Sequence, residues 1–212
     1  MSLGNKKISK NGKARIPVLL FFVSVLAGSQ AASAQPQAFK LTAERSSVHF
    51  DAKSTLHPFS GDTRTLSGEM VWDDEAGRLA DGAVVRVPVR PILTGEPKRD
   101  GEMRKMFAAA EFPDIEFRAS KVTPIPPPSG APVSASSSSG RYRLEGTLKI
   151  RRVERTVGFD VTVTPTPSGA LEISGEALVR TDWFELKPPS VLGLVRVLPE
   201  VKVRFQSVWE KV

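Results

Sequence analysis

The chain has 212 residues, with 30 Lys and Arg against 23 Asp and Glu, two His and no Cys. That length fits a single domain, and the missing thiols exclude disulfides, cysteine nucleophiles and cysteine metal ligands. The net charge of +7 is concentrated at the start, where Lys6, Lys7, Lys10, Lys13 and Arg15 precede an apolar run from Ile16 to Ala27 and the small residues Ala32-Ser33-Ala34.

This order is that of a secretory signal peptide, with cleavage expected after Ala34, a domain spanning 35–212 and a periplasmic destination. Without residues 1–34 the basic side chains fall to 25 against 23 acidic ones, so the excess shrinks to +2. Basicity then no longer argues for a nucleic-acid partner, and no basic stripe interleaved with aromatics replaces it. No later stretch reaches the roughly 18 apolar residues of a membrane span, so an integral membrane protein is not expected.

Along the remaining chain, apolar residues alternate with polar ones in successive phases, the period-2 signal of strands with one buried face. The rows are Val48, Phe50 and Ala52; Leu66, Met70 and Trp72; Ala83, Val85, Val87 and Val89; Ile115, Phe117 and Ala119. They continue as Tyr142, Leu144, Leu148 and Ile150; Val157, Phe159, Val161 and Val163; Leu171, Ile173 and Ala177; and Val201, Val203, Phe205 and Trp209. Gly68 marks a bulge or a close approach, and turns are expected at Asp73–Gly77, Asp81-Gly82 and Thr164–Gly169. Residues 123–140, rich in Pro, Ser and Gly and poor in charge, read as a disordered hairpin loop. About eight short strands with little helix predict an all-β fold, an antiparallel eight-stranded barrel wide enough inside for side chains or one small ligand.

The exception to the period is the segment from Thr94 to Ser120. Met103, Met106, Phe107 and Ala110 fall at i, i+3, i+4 and i+7, which predicts one short helix with an adaptable apolar face and Asp100 as its N-cap. Such a helix in a barrel is expected to act as a lid.

Motifs for chemistry are sparse. His49 and His57 lie eight residues apart, not a metal spacing; His49 reads as a solvated strand residue and His57, before Pro58, as a turn residue or a contact for a ligand head group. No nucleophile elbow, zinc-protease or phosphate-loop pattern occurs. The expectation is therefore no catalytic residues, no metal and no cofactor: not an enzyme but a binder. The candidate ligand contacts are the inward apolar residues Phe50, Met70, Trp72, Val85, Val87, Phe117, Tyr142, Leu144, Phe159 and Phe205, with Met103, Met106 and Phe107 from the helix. His57 and Arg99 are the candidate head-group contacts, while Arg99 and Asp100 also read as a loop-fixing pair.

Several of these pieces resemble the YceI family of secreted bacterial proteins. Thr94-Gly95, Arg99-Asp100 and Phe112-Pro113-Asp114-Ile115-Glu116-Phe117 follow its TG…RD…FP-x-I-x-F order, Gly146-Thr147-Leu148-Lys149-Ile150 its G-x-L-x-I strand, and Ser46, Val48 and Phe50 its first strand. The resemblance implies a lipocalin-like barrel and, as in some members, a polyisoprenoid ligand. Two departures stand out: Gly101-Glu102-Met103 where many members have a His, and Arg152-Val153-Glu154 in place of a Gly-Val-Thr turn. Trp183–Ser190 is similar to a W-x-L-x-P-S variant of one branch.

Two functions follow. One is a carrier that holds a long apolar lipid or isoprenoid beneath the helix. The other is a filled barrel without ligand, acting as an accessory protein through the 123–140 or Trp183–Ser190 surface. Oligomeric state is left open, a homodimer included. An interior void of several hundred Å³ separates the two, since ligand pockets run to about 300–1,000 Å³.

Overall fold

The computed structural model describes residues 36–73, 78–126, 139–188 and 196–212. The leader 1–34, most of the 123–140 loop and much of the Asp73–Gly77 turn lie outside these described residues.

Nine strand segments form: β1 Gln37–Ser54, β2 Pro58–Thr63, β3 Ser67–Asp73, β4 Arg78–Pro88, β5 Asp114–Ile125, β6 Gly140–Ile150, β7 Val153–Pro165, β8 Leu171–Arg180 and β9 Val197–Lys211, with helix α1 at Pro97–Met106. All pairings are antiparallel between chain neighbours, except that β3 returns to β1 and β9 closes on β1. Strand β1 is long enough to serve two partners on one edge: Gln37–Lys40 pair with β3, and Val48–Lys53 pair with β2. Segments β2 and β3 thus share one position beside β1, and the circuit is the expected eight-stranded antiparallel barrel. Among the described strands, closure leaves no long unpaired edge to recruit another chain.

The β1–β9 ladder breaks between Thr42 and Ser47. Buried Ser46 mends the break: its Oγ donates to the Thr42 carbonyl (2.7 Å) and accepts from the Val208 amide (3.0 Å). A polar residue is tolerated inside because both backbone groups would otherwise be orphaned.

Strands alternate inward and outward as their rows predict, and the inward residues divide by height. At the end where β1 begins and β9 ends, Phe39, Leu41, Leu66, Met70, Trp72, Val161, Val163, Leu171 and Trp209 pack into one buried cluster. The buried Trp209 indole N–H donates to Ser207 Oγ (2.9 Å), which donates in turn to the Ile173 carbonyl (3.2 Å). Ser207→Ala strands that indole N–H, so urea titration is expected to show a loss of about 1–2 kcal/mol.

Two local expectations need correction, and a third is decided between its two alternatives. Asp81-Gly82 is no turn: β4 runs through it, and Gly82, at φ 71°, accommodates the register shift opposite β3 between Met70 and Trp72. A glycine with positive φ serves a bulge as readily as a hairpin. Gly68 stays in register with Val85 and is a close approach rather than a bulge, since a Cβ there would lie 2.8 Å from the Trp209 ring. Thr123–Ile125 belong to β5, so the predicted loop starts later than residue 123. The two-residue turn between Ile150 and Val153 places Arg151 at φ 57°, so an arginine takes the left-handed position for which glycine is the usual choice.

Candidate functional site

At the opposite end stand the β1–β2 turn, the β4–β5 connection carrying α1, the Arg151-Arg152 turn and the segment after β8. Here the barrel is not filled. A cavity of about 880 Å³ runs inward from this end and reaches the buried cluster, whose members other than Phe39 also line it.

Its wall is almost wholly apolar. The charged side chains that border it, Glu96, Lys98, Arg99 and Glu102, all come from the first turns of α1 or its cap, and His57 joins them from the β1–β2 turn. Deeper, the lining is formed by Val85 and Val87 of β4, Phe117 of β5, Leu144 of β6, Phe159 of β7 and Phe205 of β9, with Phe50, Met70 and Trp72 from β1 and β3. Each predicted ligand contact therefore borders the cavity except Tyr142. That residue packs against the buried cluster, its ring edge-on to Trp72 with centroids 6.0 Å apart. Alternation marks a side chain as inward but does not mark its height.

The aromatic rings leave the lumen open because of what lies beneath them. Phe50 rests on Gly61 of its partner strand, Phe117 on Gly146 and Phe205 on Gly175; a Cβ at any of these glycines would come within 2.8 Å of the ring above it. With no side chain below, each ring lies against the barrel wall instead of projecting across the interior. Phe117, Phe159 and Phe205 continue into one another at centroid distances of 5.3 and 5.6 Å. Tilted and edge-on contacts of this kind suit the ring quadrupoles.

Helix α1 is placed by its first turn. Glu96, not Asp100, is the N-cap: its carboxylate accepts from the Lys98 amide (3.1 Å) and the Arg99 amide (3.0 Å), and Pro97 follows at the position where a missing N–H costs nothing. Asp100 does another job. It is 4% exposed, and one carboxylate oxygen accepts from both the amide (2.9 Å) and the hydroxyl (2.5 Å) of Thr94. Arg99 donates to the same Thr94, through Nε to the hydroxyl (2.9 Å) and through a terminal nitrogen to the carbonyl (3.0 Å), while its guanidinium sits 4.8 Å from the Phe59 ring centroid. The expected Arg99–Asp100 pair is thus relayed by Thr94 rather than formed directly.

Met103, Met106 and Phe107 border the cavity, but Ala110 does not belong to their face. The helix ends at Met106. Ala108 turns left-handed at φ 49°, with its amide bonded to the Lys105 carbonyl and the Ala109 amide to Arg104, so Ala109 is buried and Ala110 exposed. These are the paired bonds of a Schellman stop, with alanine in the place glycine usually takes.

Further residues line the cavity beyond those the sequence pointed to. Val201 and Val203 belong to a row that was already legible. Phe184, fully buried, and Leu186 turn inward because Glu185 between them adopts φ 56°, leaving Trp183 outside. They pack with Ile150 and, around them, Met106, Phe107 and Ile115. The spacing of Phe184 and Leu186 was the available signal.

His49 is a strand-surface residue hydrogen-bonded to Asp51 (3.1 Å), and that bond, with Arg204 beside it, holds the Asp51 carboxyl below its ordinary value. Asp182 is likewise lowered, and Arg180 raised, by their mutual hydrogen bonds and charge. Neither pair borders the cavity. Among the described residues no group of three metal-ligating side chains converges.

A closed antiparallel barrel with one helix and an apolar cavity defines the class: a lipocalin-like barrel. A YceI-like domain model matches residues 39–209, and the chain belongs to that family. Among solved structures it is similar to Burkholderia cenocepacia BcnA, at 19% identity over 79% of this chain and 98% of that one, TM-score 0.64. A polyisoprenoid binding domain from Saccharophagus degradans, implicated in plant cell wall breakdown, superposes with TM-score 0.66 at 17% identity, covering 83% and 99% of the two chains. The Campylobacter jejuni YCEI protein follows at 0.52 and 16%, over 72% and 84%. No curated protein matches the chain. At these identities the likeness concerns the fold.

Proposed function

We propose that this protein is a periplasmic carrier that holds a long apolar molecule of the polyisoprenoid kind inside its barrel, with residues 1–34 serving as the export signal. The observation that supports the reading is the cavity of about 880 Å³, walled by aliphatic and aromatic side chains and charged only at its mouth. An interior packed to native density would favour the accessory-protein alternative; a void of this size favours a ligand. Each methylene moved from water into such a wall contributes about 0.8 kcal/mol, so a chain of isoprene units needs no polar anchor to be held. His57 and Arg99 are positioned to meet a head group, and Arg99 is held for that role by Thr94 and the Phe59 ring. Binding rather than catalysis is the proposed activity.

The test is native mass spectrometry and solvent extraction of protein taken from its own periplasm, alongside Val203→Trp. Val203 borders the lumen, and an indole there occupies the space meant for the ligand. The wild type is expected to carry an extractable apolar molecule, and Val203→Trp to retain about tenfold less or lower while still melting cooperatively. An empty wild-type protein whose melting temperature no polyprenol raises would sink the reading.

A further inference from the structure

The outer surface repeats the asymmetry of the interior. Six large apolar side chains are exposed among the described residues: Leu56, Leu93, Leu178, Trp183, Leu198 and Val212. All but Val212 belong to the open end of the barrel.

They are also consecutive around its rim. Leu93 forms an isolated bridge to Asp62 of β2, Leu56 sits in the β1–β2 turn, Leu198 stands near the start of β9 and Leu178 near the end of β8, with Trp183 in the turn beyond it. Strands β2, β1, β9 and β8 are neighbours in that order. The Thr55 amide bonds the Arg196 carbonyl (2.9 Å), Ser54 pairs with Val197, and the Thr181 hydroxyl donates to the Pro199 carbonyl (3.3 Å), so the segments bearing the arc are tied together. Helix α1 stands on the remaining side. Leu56, which is 71% exposed, also lines the cavity, so the apolar rim and the apolar lumen are one continuous surface.

Charge follows the same axis. In the connections at the open end the described residues include nine Lys and Arg against six Asp and Glu, and one of those six, Asp100, is buried. At the other end the β7–β8 connection, 166–170, carries no charged side chain. Apolar groups with a tryptophan, beside lysines and arginines long enough to reach lipid phosphates, form the surface that seats in a bilayer interface.

We propose that the open end docks on an anionic phospholipid bilayer, so that an apolar chain passes between membrane and barrel without crossing water. This rests on the carrier reading for the identity of the cargo, but the docking itself does not depend on it. A protein partner is the less suitable occupant, because the apolar arc opens directly into the lumen and a protein seated on it would close the route.

The experiment uses the purified protein, vesicles of equal parts phosphatidylglycerol and phosphatidylethanolamine, vesicles of pure phosphatidylcholine, and a fluorescent polyprenol. Leu198 and Trp183 do not line the cavity, so Leu198→Asp with Trp183→Asp alters the rim alone; Val212→Asp is the control at the far end. The double variant is expected to retain the polyprenol in vesicle-free solution as the wild type does, to lose about tenfold in binding to the anionic vesicles, and to deliver the probe to them about tenfold more slowly. Val212→Asp is expected to change nothing. If the double variant melts early, Leu198→Ser with Trp183→Ser replaces it. Wild-type protein that ignores the anionic vesicles, binds phosphatidylcholine as tightly, or is unaffected by the rim substitutions overturns the proposal. A wild type that binds vesicles and retains no polyprenol supports docking while refuting the carrier reading.

Discussion

Gly146→Ala is expected to destabilise the barrel by about 3 kcal/mol or more. A Cβ at residue 146 overlaps the Arg118 carbonyl oxygen and lies 2.8 Å from the Phe117 ring and 2.9 Å from the Ala119 Cα. Two of those three neighbours are backbone of β5, directly across the ladder, where Ala119 pairs with Gly146. They cannot rotate away. The strands must part, in the stretch where the β5–β6 register already shifts between Ala119 and Lys121. Phe117 is displaced from its seat toward the lumen, so ligand capacity falls with stability. Gly158→Ala supplies the contrast: its Cβ would meet the end of the Arg143 side chain at 3.0 Å, a flexible group that yields. That substitution is expected to be neutral or to stabilise by a few tenths of a kcal/mol through the unfolded chain. Chemical denaturation of the two variants against wild type checks both, and equal effects would contradict the account.

Asp100→Ala is expected to cost about 2–3 kcal/mol and to loosen the lid. It removes the acceptor from a part-buried amide and a hydroxyl on Thr94, the residue through which Arg99 is also held. The helix cap on Glu96 survives, so α1 persists as a helix but loses its tie to the strand-side loop. Stability and function then separate measurably: a bound polyprenol should leave the variant faster even at temperatures where it is fully folded. Thr94→Val removes the other half of the same arrangement, and the double variant should cost clearly less than the two singles added. Additive costs would mean that the two residues act independently.

Much of this is legible in the sequence, and the departures have physical causes. Rows such as Val85–Val87 and Phe117–Ala119 identified the inward face because the strand period is two and one face is dry. Tyr142 falls outside the lining although its row faces inward, because the period marks a face and not the neighbours met there: its ring packs edge-on against Trp72, which itself lines the cavity. Asp100 looked like a cap because carboxylates cap helices; Pro97, which marks the residue before it as the cap, was the better sign. Asp81-Gly82 misled because a bulge and a turn ask the same thing of glycine. The seating of Phe117 on Gly146 was within reach only as a motif, since the reason for the glycine is a ring on the neighbouring strand.

Closure by β9 has a consequence in time. Phe39 pairs with Lys211 and Leu41 with Trp209, so the two ends of the domain meet across nearly its whole length. No seal can form until the last fifteen-residue strand is present. Contacts of such long sequence separation form late and slowly, because the loop-closure entropy is lost before the contacts compensate it. A chain interrupted before Val197 would present β1 and β8 as two open edges with Trp209 missing from the buried end. Quality control is thereby written into the order of the strands: a chain that has not arrived in full has neither a lumen for cargo nor a wall to keep it from pairing with its neighbours.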